Sequence, residues 1–450
     1  MSASSRSRAG SAARSLGLLA VAALAALAGS LRSPAQLLPL GPDFQVNDYT
    51  TGSQHTPLVT AAPDGSFTVV WCCGMARSTT DERPLVARRF DAGGQPQGAE
   101  FAVSQSEPRY PSGVGADAEG DFVVVWGAGS AGCPACWLDY VKARRFTAAG
   151  QPLAGQFAVS DPPGTAYTGG GRVAVAADGG FVVAWSEYGA WAQRFDPDAL
   201  PLGPEFAVGG EQGYSYSPVV APQPAGGFVI AWEDFDATLY PALVAQRFDG
   251  GGQPVGARIE VAARETRPWT PDLASGTSGD FVVAWIAVPA GSDGEVRARR
   301  FDASGASLGP AVAVDSYDAQ SVWSPAVGRA AGGDLVVAWE SYGSPGTDSS
   351  SSSLQGRLVA ADGTRLGLQL QLNGWTTGYQ SSPAVAALAN GDLVVTWGSE
   401  TSPGTDTSNS SVLARRFRLA FFMDGFETGD ASRWSALQPL ARAHDRARQP

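Results

Sequence analysis

The stretch GDLVVAW (333–339), a glycine, a hydrophobic run and a closing tryptophan, is one of seven such stretches along the chain. It recurs, for example, as GDFVVVW (120–126). The copies place Trp71, Trp126, Trp185, Trp232, Trp285, Trp339 and Trp397 at spacings of 55, 59, 47, 53, 54 and 58 residues. A near-constant period of this size is the mark of a repeat architecture.

Around each tryptophan run, Gly, Pro and Asp punctuation divides the unit into four short extended runs. The first follows a proline, as in PAVGRAAGG (325–333) and PAVAALANG (383–391), and the second is the tryptophan run itself. The third ends at Phe90, Phe146, Phe195, Phe248, Phe301, Val359 and Phe417. The fourth covers 100–103, 156–159, 205–208, 258–261, 311–314 and 369–372. Four antiparallel strands per unit make a propeller blade.

The repeats begin at DFQVN (43–47), a fourth run, and end at VLARRFRL (412–419), a third run, so the seventh unit lacks the strand that the N-terminus holds. Pairing the two hides both edges of an otherwise open sheet. The expected fold is all-β, a seven-bladed β-propeller of four-stranded antiparallel blades over 39–419, with the last blade closed by the N-terminal strand. A β-solenoid competes, but it runs at shorter periods and needs capping ends that are not seen here.

The two ends read differently from the repeats. Arg6, Arg8 and Arg14 precede an apolar run from Leu16 to Ala28, the layout of a secretory signal over 1–28. The expected product is secreted or periplasmic, and the run is too short to span a bilayer. The formal charge is −12, and −15 without those three arginines, which argues against nucleic acid or an anionic membrane as partner. Residues 420–450 form a separate tail. In an exported chain the four cysteines, Cys72, Cys73, Cys133 and Cys136, should be paired. A cross-link between the first two blades and a local Cys133 to Cys136 closure both fit the spacing.

The stretches DFQVNDYTTGSQHTPLVTAAPDGSFTVVW (43–71) and QLNGWTTGYQSSPAVAALANGDLVVTW (371–397) resemble a family of bacterial extracellular repeat proteins with FVVTW, QRF and EFxVN motifs, and the resemblance covers 43–418. It implies a secreted or surface location and no general enzymatic activity. FFMDGFETGDASRWSA (421–436) is similar to a DGFESGD-type segment at the ends of exported bacterial proteins.

Catalysis has little material here. His55 and His444 are the only histidines, so neither a serine-type relay nor a histidine-rich metal centre is expected, and no cofactor is implied. Two-carboxylate glycosidase chemistry needs no histidine and remains as the alternative. Its candidates are Glu187, Glu233, Glu340 and Glu400, each one to three residues beyond a blade tryptophan. A more informative set stands two residues before the proline of each first strand: His55, Arg109, Tyr216, Trp269, Trp323 and Ser381, with Gly169 in the third unit. If the first strand is innermost, these positions ring the channel mouth. Tyr216, Trp269 and Trp323 then form an aromatic arc near Glu233 and Glu340, suited to stacking and hydrogen-bonding a sugar or a peptide. Rings at these positions would serve equally to seal junctions between blades. The function expected from sequence is therefore a non-catalytic binding or surface-interaction module for carbohydrate or a protein surface. A carbohydrate-active enzyme and a purely structural envelope protein are the competitors.

Overall fold

The computed structural model describes residues 35–72, 84–104, 108–128, 140–160, 170–209, 215–235, 240–316, 321–330, 332–343, 346–407 and 409–421. The signal segment, the tail from 422, Gly169, Cys73, Cys133 and Cys136 lie outside these residues. Leu37–Leu419 forms one compact unit. It holds seven antiparallel sheets, as the repeats predict, and six of them have four strands each. The first blade, for instance, runs His55–Ala61, Phe67–Cys72, Val86–Phe90 and Phe101–Ala102.

The seventh blade contains Gln380–Ala387, Asp392–Ser399 and Ser411–Phe421 from the end of the chain. Its outer edge is completed by the N-terminal strands Phe44–Gln45 and Ala35–Pro39, both of which pair with Ser411–Phe421. Phe44 lies opposite Ala414 and Gln45 opposite Leu413. Side chains lock the seam as well. Asn47 donates to Asp406 at 2.8 Å and accepts from the Val412 N–H at 3.0 Å.

The second strands are buried on both faces, which is why they read as continuous hydrophobic runs rather than as an alternation. All seven blade tryptophans are fully buried and pack the faces between neighbouring blades. Trp71 and Phe67 of the first blade, for example, share one apolar cluster with Ala386 and Val394 of the seventh. Phenylalanines opposite one another in the second and third strands stack, Phe67 on Phe90 at 5.2 Å and Phe281 on Phe301 at 4.8 Å between centroids. Such pairs add about 0.5–1.5 kcal/mol each beyond their buried area.

The arginines of the third strand tie blade to blade in two columns. The first column points back: Arg88, Arg144, Arg299, Arg357 and Arg415 donate Nη1 to the carbonyls of Val46, Val103, Val261, Val314 and Leu372 on the preceding blade's outer strand, at 2.9–3.1 Å. Gln193 and Gln246 replace arginine in the third and fourth blades and bond only within their own blade. The second column, the arginines directly before the third-strand phenylalanines, points forward. Arg194 and Arg247 donate to the carbonyls of Gly250 and Ser304 at 2.5 and 3.0 Å. Arg89 passes so close to Gly150, at φ +79°, that a Cβ there would meet its Cδ at 3.1 Å. Glycine serves both the turn and the approach.

Candidate functional site

The first strand of every described blade is innermost, and these strands line a central cavity of ≈ 770 Å³. Near the mouth five of these strands are bent by the same device. In the fourth blade Tyr216 faces Glu233 and Val219 faces Ala231, so one residue is extra on the inner strand. The shift recurs at His55/Leu58, Trp269/Asp272, Trp323/Ala326 and Ser381/Ala384. Such a bulge kinks a strand and re-aims its side chains. The residue before the proline takes a left-handed conformation in all five: Thr56, Ser217, Thr270, Ser324 and Ser382 have φ between 49° and 54°. For L-residues this costs roughly 1–2 kcal/mol apiece. These five hydroxyl residues all line the cavity.

The aromatic residues ride on this bend. Trp323 is 53% exposed and Tyr216 36%, while Trp269 is half-buried. Phe235, which the sequence reading did not single out, fills the gap between two of them. Its ring lies 5.5 Å from Tyr216, edge-on, and 5.8 Å from Trp269. Trp323 holds the equivalent place on the next blade. His55 stands at the same level in the first blade, with Nδ1 3.0 Å from Thr56 Oγ1 and its ring 5.6 Å from Tyr110.

Arg109 is displaced from this ring of positions. In the second blade Tyr110 pairs with Gly127, the residue after Trp126, just as His55 pairs with Cys72 after Trp71. The inner strand there is offset by one residue relative to its proline, and the exposed Tyr110 takes the mouth position. The Arg109 side chain is not among those described.

Glu233 and Glu340 do not stand free on the rim. Each pairs in register with the ring of its own blade, Glu233 with Tyr216 and Glu340 with Trp323, but the carboxylates turn inward and are only 3% and 7% exposed. Glu233 accepts from the Thr270 N–H at 2.8 Å and from Ser217; Glu340 accepts from the Ser382 N–H and from the Tyr342 and Ser352 hydroxyls. Each thus holds the bent strand of the following blade. Burial pushes both carboxyls above their ordinary range, against the pull of those hydrogen bonds. Of the other carboxylates, Glu187 accepts from Trp185 Nε1 at 3.4 Å and Glu400 from the Tyr379 N–H at 3.1 Å. Cys72 is buried at the end of its strand and is not a free thiol.

One level deeper, the residues opposite the one before each blade tryptophan are Leu58, Gly113, Arg172, Val219, Asp272, Ala326 and Ala384. Arg172 and Asp272 are the only charged residues lining the cavity among those described. Asp272 Oδ2 accepts from the Val327 N–H at 2.7 Å, and its enclosure by the ring raises its carboxyl above the ordinary range despite the nearby positive charge of Arg172. Among the described residues no group of three or more His, Cys, Asp or Glu side chains could hold a metal ion, and no helix is long and apolar enough to cross a membrane.

No protein-family model and no curated protein matches the chain. Solved structures share its ring. A protein of unknown function from Dyadobacter fermentans superposes with a TM-score of 0.51 at 11% identity, over 86% of this chain and all of the other. A polysaccharide lyase, an ulvan lyase, gives 0.48 at 10% identity over 82% and 95%, and an α-L-arabinofuranosidase from Fusarium graminearum gives 0.44 at 15% over 84% and 98%. The expectation of a non-catalytic protein is corrected: a fungal alcohol oxidase, an enzyme, shares the ring with a TM-score of 0.50 at 12% identity, over 86% of this chain and 76% of the other, and here the cavity wall itself carries an acid, Asp272, that the sequence reading did not weigh. At these identities the likeness shows the fold alone.

Proposed function

We propose that the protein is an exported propeller that binds carbohydrate at the aromatic rim of its channel. One observation carries the proposal: Tyr216, Trp269 and Trp323 occupy the same mouth position on three consecutive blades, the first two joined by Phe235, with Trp323 more than half exposed. A tryptophan sealing a junction would be buried, as the seven blade tryptophans are. Rings placed beside hydroxyls and over a cavity suit the apolar faces and hydroxyl edges of a sugar. Export rests on the charge and apolar run of residues 1–28.

The test is a glycan array followed by titration of a retained glycan. Trp323→Ala should weaken binding by about 1–3 kcal/mol with little change in melting temperature. Unchanged binding after loss of Trp323 and Trp269 together would remove the rim from the reading. A second reading, catalysis on the bound glycan, is favoured by Asp272, whose raised carboxyl faces the cavity and suits a proton donor. Product release from a retained glycan, abolished by Asp272→Asn while binding persists, would establish it.

A further inference from the structure

The third blade departs from the others where the cavity narrows. In place of the serine or threonine and proline that bend the inner strands of five other blades it has Gly170 and Gly171, followed by Arg172. The glycines are required by close approach: a Cβ on Gly170 would lie 2.7 Å from Ser112 Cβ, and one on Gly171 2.8–3.0 Å from methyl groups of Val141, Val183 and Val125. Arg172 is nonetheless exposed, although it stands on an innermost strand and lines the cavity. Its Nη1 donates to the Ser112 carbonyl at 3.1 Å, and the rest of the guanidinium fork has no hydrogen-bond acceptor among the described residues. Asp272, at the same level two blades on, feels its charge without forming an ion pair with it, and its Oδ2 accepts from the Val327 N–H.

We propose that the channel receives a sugar bearing a carboxylate, a uronate, and that the unengaged guanidinium edge of Arg172 selects that charge. This rests on the carbohydrate reading above and names its substrate class. A guanidinium fork matches a carboxylate with two parallel N–H···O bonds, a geometry that lysine does not provide. The Thr270, Ser324 and Ser382 hydroxyls at the mouth supply partners for the neutral hydroxyls of the sugar. The net charge of −12 opposes long-range attraction of an acidic polymer, so charge selection has to arise at this one contact.

The probes are D-glucuronate, D-galacturonate and the methyl ester of each, titrated into the full-length protein by calorimetry. At least one acid should bind about tenfold or more tightly than its ester. Arg172→Gln should abolish that preference and Arg172→Lys should restore part of it, with melting curves confirming that both variants fold. Trp323→Ala should weaken acid and ester alike. Equal affinity for acid and ester, no binding of either acid up to about 10 mM, or a preference that survives Arg172→Gln would each overturn the inference. Equal affinity that still depends on Trp323 would leave the carbohydrate reading standing and sink only this step.

Discussion

The third and sixth blades are written with the same repeat and held in the ring by very different means. In the sixth, Arg357 reaches the Val314 carbonyl of the blade before it and the Gly367 carbonyl of its own hairpin. Asn373 and Gln371 fasten its upper loop through Asp348 and Thr347. In the third, Gln193 reaches only Gly203 and Arg194 of the same blade. The sixth carries Trp323 at the mouth, and the third carries two glycines and Arg172. The blade with fewer ties to its predecessor is the one that places a cation in the channel, so binding to the ring and binding to a ligand fall on different copies of one unit.

The comparison is broken most severely at the seam that supports the sixth and seventh blades. Asp43 accepts from the Gly374 and Trp375 N–H groups of the sixth blade at 2.7 and 2.6 Å, and Phe44–Gln45 pairs with the seventh. Deleting 35–47 should abolish the cooperative melting transition seen by circular dichroism. A variant that melts as the parent does would show that the ring does not depend on closure.

A smaller effect sharpens the contrast directly. Arg357→Gln copies the third blade into the sixth and should cost about 1.5–3 kcal/mol in denaturant unfolding, because it strips a charged donor from a buried carbonyl. Gln193→Ala should cost about 0.5–1.5 kcal/mol, the worth of an ordinary neutral bond. Equal losses would mean that the arginine column is not what separates the two blades.

The smallest expected effect concerns the fifth blade, where Asp315 stands in the place of Asn373 and Asn47. Each accepts from an N–H in the first three residues of a third strand, those of Val296, Leu354 and Val412. Burial pushes the Asp315 carboxyl up to about 6 from 3.8. The folded chain therefore holds this proton more tightly than the unfolded chain does. The stability it contributes is complete below the unfolded value and is lost as pH rises through about 6. Asp43, Glu100, Glu233, Asp272 and Glu340 are raised in the same direction, while Asp280, bonded to Ser278 and beside Arg329 and Arg300, is lowered and matters only at more acidic pH. The melting temperature should rise by about 2–4 °C between pH 7.5 and pH 5. Asp315→Asn should flatten part of that slope. A melting temperature that falls over the same interval would contradict this account.

The ring was legible because the tryptophan spacing survives every change of loop, and a strand buried on both faces announces itself as an unbroken hydrophobic run. The mouth was legible only where the proline kept its place in the bend. At Arg109 the strand is offset by one residue, an irregularity of pairing that no spacing in sequence reveals, and Tyr110 was missed as a result. Glu233 and Glu340 were placed on the correct rim, but a carboxylate one residue past a tryptophan turns inward when the neighbouring blade offers it an N–H, and that neighbour lies some forty residues away in sequence. Arg172 and Asp272 did carry a signal: each puts a charge where Leu58, Val219, Ala326 and Ala384 put apolar side chains. Phe235 carried none, since it lies in the irregular stretch after its strand.

Phe44 and Ala414 are paired across nearly the whole length of the ring. The strand that completes the last blade is therefore the earliest part of the ring to be synthesised, and it must stay unpaired until the last has emerged. Blades one to six can each form as their own hairpins arrive, from local contacts that form quickly. The circle itself can be latched only after Ser411–Phe421 has been made. Any factor that shields an exposed strand during this wait would have to act on residues 35–47, at the opposite end of the chain from the edge they will cover.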